Sequence, residues 1–136
     1  MQGTHLMQFE IALEQRPFTF TTYSADDAIT RRMCKYGTFY ERDLLDYSRE
    51  LLAELPAGGL VVDVGANLGN HSVYWGAYSG RRVVAIEANP ELAPILSENL
   101  RRNVPAARFH VIAGGAASES GLARVRLAER APDQFG

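Results

Sequence analysis

The run Leu60-Val61-Val62-Asp63-Val64-Gly65-Ala66-Asn67-Leu68-Gly69-Asn70 constrains this chain more than any other segment. β-Branched residues end in an acid, turn through Gly65 and Gly69, and open onto a helical pattern. A parallel strand delivers a small ligand to a helix N-terminus in this way. The glycines allow unusual φ and close approach, and free N–H groups face the ligand's polar end. Asp63 shapes the choice of ligand, since it would repel a pyrophosphate and attract an ammonium or sulfonium. The glycine spacing also departs from the dinucleotide pattern Gly-x-Gly-x-x-Gly. The competing reading is a purely structural strand-helix turn.

Arg82-Val83-Val84-Ala85-Ile86-Glu87-Ala88-Asn89-Pro90 reads as a second buried strand, again ending in an acid. In nucleotide-binding α/β folds an acid about 20 residues beyond the first turn accepts hydrogen bonds from ribose hydroxyls. Glu87 has that position. Alone it would read as a solvated strand-end acid, but Asp63 and the glycines favour the ribose role.

At these residues the chain resembles the S-adenosylmethionine-binding half of FkbM-type methyltransferases. The likeness rests on Val61-Asp63-Gly65-Ala66-Asn67-Gly69 and on Ile86-Glu87-Ala88-Asn89-Pro90. Tyr40-Glu41, Leu96-x-x-Asn99-Leu100-x-x-Asn103 and the small residues before Gly121 add to it, so that it covers roughly residues 36–127. The resemblance implies that Glu87 holds the ribose diol and that the turn of Gly65, Ala66, Asn67 and Gly69 passes beneath the methionine moiety. Asp63 would help bind the amino group, and the adenine would lie near Ala88, Asn89 and the 114–118 segment. It implies S-adenosylmethionine as cofactor, O-methyl transfer to a hydroxyl of a small molecule or sugar, and a cytoplasmic enzyme.

Two departures stand out. The family often has Asp where this chain has Ser118, so the adenine contact would lack a charge. The family also continues into an Asp-x-Glu-Gly-type segment near the acceptor, whereas this chain ends at Phe135-Gly136. The expectation is therefore a truncated, doubly wound, Rossmann-like parallel sheet over 56–136, with a hairpin and helices over 1–55 packing on it. The fragment alone is expected to be inactive and to self-associate through the open apolar edge of Leu60–Val64. A general base cannot be assigned.

Composition fits a soluble α/β chain, with 46% apolar residues, 22% charged residues and a net charge of −2. That balance shows no nucleic-acid footprint, and the expected partner is a small hydroxyl compound without nucleic acid or membrane. Cys34 is the only cysteine, which suits a reducing compartment. No apolar run approaches the roughly 20 residues of a membrane span. No His/Cys/Asp cluster has metal-ligand spacing.

Alternation at Phe9–Leu13 and Phe18–Thr21 predicts an N-terminal hairpin outside the nucleotide fold. Ser24-Ala25-Asp26-Asp27 predicts a capped helix ending at Gly37. Arg42–Leu55 predicts an amphipathic helix with Leu44, Leu45, Leu51, Leu52 and Leu55 on one face. A helix is expected over Gly69–Tyr78, and another capped by Asn89, in which Pro94 would cost one backbone bond. Arg108–Ala113 and Leu122–Leu127 read as further strands.

Tyr40 and Glu41 precede the long helix and could return over the site's mouth. The alternative is a Tyr packed on the sheet edge and a Glu favouring a helix N-terminus. His71 reads as a helix-face residue. Besides the methyltransferase, a nicotinamide-dependent oxidoreductase would use the same Glu87, and a non-catalytic binding module remains a third reading.

Overall fold

The computed structural model describes residues 5–127. Its elements are β1 (Met7–Leu13), β2 (Arg16–Thr22), α1 (Ala28–Tyr36), α2 (Arg42–Glu54), β3 (Leu60–Val64), α3 (Asn70–Tyr78), β4 (Arg82–Glu87), α4 (Ala93–Asn103) and β5 (Phe109–Ala113). A short 3-10 turn at Ala106–Arg108 precedes β5.

β3, β4 and β5 form a parallel sheet in that order, with Asp63 opposite Ala85 and Ala85 opposite Val111. Strand alternation sends Val61, Asp63, Val83, Ala85 and Glu87 to one buried face, against which α3 and α4 pack. The opposite face carries Leu60, Val62, Val64 and Ile112, all exposed. Among the described residues β3 pairs with β4 alone, so its outer edge carries no partner strand. Of the three valines on this strand only Val61 is covered; Val62 and Val64 are 53% and 61% exposed.

The hairpin forms as the alternation predicts, with Phe9 opposite Phe20 and a two-residue turn at Glu14-Gln15, both at positive φ. It packs against α4. Asn99 on α4 accepts the Thr21 N–H at 2.6 Å and donates to the Thr21 and Leu68 carbonyls at 2.9 and 2.7 Å. One turn later Asn103 accepts the Thr19 N–H at 3.1 Å and donates to the Thr19 carbonyl at 2.8 Å. Two side-chain amides thus take the place of a third strand along β2. Beneath them Phe18, Phe20, Phe39 and Tyr74 join one apolar core with Leu68, Leu96 and Leu100.

Four local expectations are corrected. Asp27, not Ser24, caps α1, accepting the Thr30 N–H at 2.9 Å. On α2 only Leu45 is fully buried, while Leu44, Leu51 and Leu55 are exposed. The chain turns once after Asn89 and α4 begins at Ala93, which puts Pro94 in the first turn, where no helical bond is lost. Leu122–Leu127 forms no strand.

Candidate functional site

The turn after β3 is built on left-handed backbone at Gly65, Asn67 and Gly69. The N–H groups of Gly65 and Ala66 both donate to the Ile86 carbonyl, at 2.9 and 3.0 Å, fixing the turn to the end of β4. The two glycines answer different demands. A Cβ on Gly65 would meet nothing within 4 Å, so that side of the turn is open to a ligand. A Cβ on Gly69 would lie 3.0 Å from Leu96 Cδ1, so there the need is packing against α4.

Glu87 is no solvated strand end, being only 8% exposed. Its Oε2 accepts the Asn67 N–H at 2.7 Å and its Oε1 accepts the Asn89 N–H at 2.8 Å. One carboxylate therefore locks both strand-end loops through charge-assisted bonds. Each oxygen keeps a further lone pair for a ligand donor. Asn89 in turn accepts the Glu91 N–H at 2.9 Å. Asn67 Oδ1 lies buried in the turn with no hydrogen-bond partner, an acceptor that a ligand donor could satisfy.

Asp63 is also 8% exposed and accepts the Ser72 hydroxyl at 2.6 Å, so α3 orients the acid. Sequence reasoning missed Ser72; its position on the inward face of α3, two residues past Asn70, was the available signal. Two buried carboxylates at neighbouring strand ends favour a cationic ligand. The Gly114 N–H donates to the Glu87 carbonyl at 2.9 Å, and a Cβ on Gly115 would lie 3.7 Å from that of Ala88. The loop leaving β5 thus runs beside Ala88. Ser118 is exposed farther along it.

Tyr40 and Glu41 come to the N-terminus of α3. Asn70, 4% exposed, accepts the Tyr40 N–H and donates to the Tyr40 carbonyl, both at 2.9 Å. Glu41 holds the N-cap position of α2 at φ 56°. Its Oε2 lies 2.9 Å from His71 Nε2, within ion-pair range although off the line of a hydrogen bond. His71, on the face of α3, thus lies beside the start of α2. Asn70 was likewise missed, although it directly follows Gly69. Among the described residues no cluster of His, Cys, Asp and Glu could hold a metal ion, and no helix is long and apolar enough to cross a membrane.

No family model matches the chain, and no curated protein does. Solved structures do. The chain is similar to Pyrococcus horikoshii TYW2 in complex with MeSAdo, at 18% identity and TM-score 0.53, covering 85% of this chain and 38% of that one. It is similar to the Methanocaldococcus jannaschii (M. jannaschii) tRNA m1G37 methyltransferase, at 15% identity and TM-score 0.51, covering 82% and 31%. It is also similar to aTrm5, solved in complex with tRNALeu, at 15% identity and TM-score 0.52, covering 81% and 28%. The chain thus spans between 28% and 38% of the length of these structures.

These neighbours overturn one expectation. A small hydroxyl compound as acceptor, with no nucleic acid, does not agree with a fold shared with a tRNA methyltransferase and with a protein solved on tRNA. That expectation rested on net charge, which averages over the whole chain. The parallel sheet, the glycine turn and these likenesses together give the chain a Rossmann-like fold of the class I methyltransferase type.

Proposed function

We propose that the chain binds S-adenosylmethionine at the β3–α3 turn and forms the donor-binding part of a methyltransferase acting on RNA. The observation that carries this reading is the buried Glu87 carboxylate, which spans the tips of β3 and β4 beside the open side of Gly65. Its free lone pairs suit a ribose diol. Asp63, steadied by Ser72, suits an amino or sulfonium group, and Ala88, Asn89 and the 114–118 segment with Ser118 flank the adenine. Tyr40 and Glu41, tied to Asn70 and His71, border the same helix N-terminus.

Bound there, the sulfonium supplies an electrophilic methyl group. The protein's share is to hold the donor in line with the acceptor and keep water out. MeSAdo in one neighbour supports a nucleoside ligand for this fold, and the tRNA named for two others supports RNA as acceptor class. The finer FkbM-type assignment rests on the motif strings alone.

Isothermal calorimetry with S-adenosylhomocysteine and with NAD tests this reading. Heat is expected with the first and none with the second. Binding of NAD with no response to S-adenosylhomocysteine would instead favour the oxidoreductase.

A further inference from the structure

Between β1 and α1 lies a groove of about 940 Å³, lined by Phe9, Arg31, Arg32, Lys35, Tyr36 and Tyr40 among others. Its charge is one-sided, as three cations and no Asp or Glu line it. The helix that forms one wall, Ala-Ile-Thr-Arg-Arg-Met-Cys-Lys-Tyr, contains no acid at all. Of the acids just before it, Asp27 is engaged by the Tyr23 hydroxyl at 2.6 Å and by Thr30. Arg31, Arg32 and Lys35 are exposed, as is Tyr36 at 67%. Cations and rings alternate here, with the Arg32 guanidinium 5.7 Å from the Tyr40 ring and Lys35 Nζ 5.2 Å from the Tyr36 ring.

We infer that this groove binds a single-stranded segment of RNA, its phosphates on Arg31, Arg32 and Lys35 and a base stacked on Tyr36. A cationic track with exposed aromatic platforms is the chemistry by which single strands are held without sequence reading. The groove also leads towards the donor site. Tyr40 lines it through its side chain while its backbone is clasped by Asn70 at the start of α3. The inference deepens the RNA-acceptor reading and rests on it for the acceptor class. A membrane surface would also answer three cations, but the exposed Tyr36 ring within a concave groove favours a strand.

Fluorescence anisotropy of a labelled oligouridine of about 12 nucleotides with the full chain tests this. Three phosphate contacts give a slope of log K against log salt near −2, and neutralising them costs roughly 100-fold in affinity at ~0.1 M salt. Arg31→Ala, Arg32→Ala and Lys35→Ala combined should show both effects, and Tyr36→Ala alone a loss of at least about fivefold. Arg101→Ala with Arg108→Ala, away from the groove, should leave binding unchanged. Equal affinity in parent and triple variant, no binding by the parent, or preference for phosphatidylserine vesicles over oligouridine would each overturn the inference. S-adenosylhomocysteine calorimetry on the same proteins separates the two readings. Nucleoside binding without oligouridine binding sinks the groove alone, whereas groove-dependent oligouridine binding without nucleoside binding sinks the donor site alone.

Discussion

Asn99 of α4 pairs with the backbone of Thr21 as a neighbouring strand would, accepting its N–H at 2.6 Å and donating to its carbonyl at 2.9 Å. Because the same amide also reaches the Leu68 carbonyl at 2.7 Å, one fully buried side chain joins the hairpin, the β3–α3 turn and α4. Asn99→Ala would leave three buried backbone groups without partners. We expect a loss of at least about 3 kcal/mol in urea unfolding, since each orphaned group costs roughly 1–3 kcal/mol. Asn103→Ala, whose Thr19 partner is half-buried, should cost less. A change under about 1 kcal/mol for Asn99→Ala would show that the hairpin docks through its apolar face alone.

The two glycines of the donor turn should separate by what they affect. Gly69→Ala forces a methyl to 3.0 Å from Leu96 at φ +100°, and is expected to cost about 2–4 kcal/mol of stability. Gly65→Ala meets no neighbour, so its cost is the left-handed backbone alone, about 1–2 kcal/mol. Its larger effect should fall on nucleoside affinity, because the new methyl occupies the open side of the turn. Thermal unfolding and calorimetry on both variants check the contrast, which disappears if Gly65→Ala binds like the parent.

Tyr74 connects α3 to α2 through its hydroxyl, 2.5 Å from Asp46. Burial first, then the hydrogen bond to Asp46 and its negative charge, push the phenol up to about 12. A folded pKa above the unfolded value of 10.0 means that the stabilising contribution is complete below pH 10.0 and is lost as pH rises through about 12. Asp46 is partly exposed, and screening keeps the contribution under about 2 kcal/mol. Tyr74→Phe should therefore lower stability near neutral pH and flatten its decline at alkaline pH. Urea unfolding at several alkaline pH values measures this, and parallel declines in parent and variant would contradict it.

The strands and the donor turn were legible because their signals are local. Alternation marks β1 and β2, and a β-branched run ending in an acid and glycines marks β3. What escaped depends on partners distant in sequence. On α2, Leu44 and Leu51 lie roughly a quarter turn from Leu45 and Leu52 on a helical projection, so leucine count alone cannot say which arc faces α3. Here the buried arc also carries Ser48, bonded to the Trp75 indole at 2.9 Å. Asn70 and Asn99 act on backbone 30 and 78 residues away, and no periodicity reports such a bond. Arg31, Arg32 and Lys35 were hidden within a near-neutral total.

The central claim is that Glu87 holds a ribose diol, and its structural role in locking Asn67 and Asn89 must be separated from that. A two-by-two cycle does so, using parent and Glu87→Gln against S-adenosylhomocysteine and its 2′-deoxy analogue by calorimetry. A charge-assisted hydrogen bond contributes about 1.5–3 kcal/mol, so the parent should lose roughly tenfold or more when the hydroxyl is removed. In Glu87→Gln that loss should shrink to a small fraction, because the acceptor that reads the hydroxyl has lost its charge. An equal loss in parent and variant would contradict the account, leaving Glu87 as a brace between two loops and nothing more.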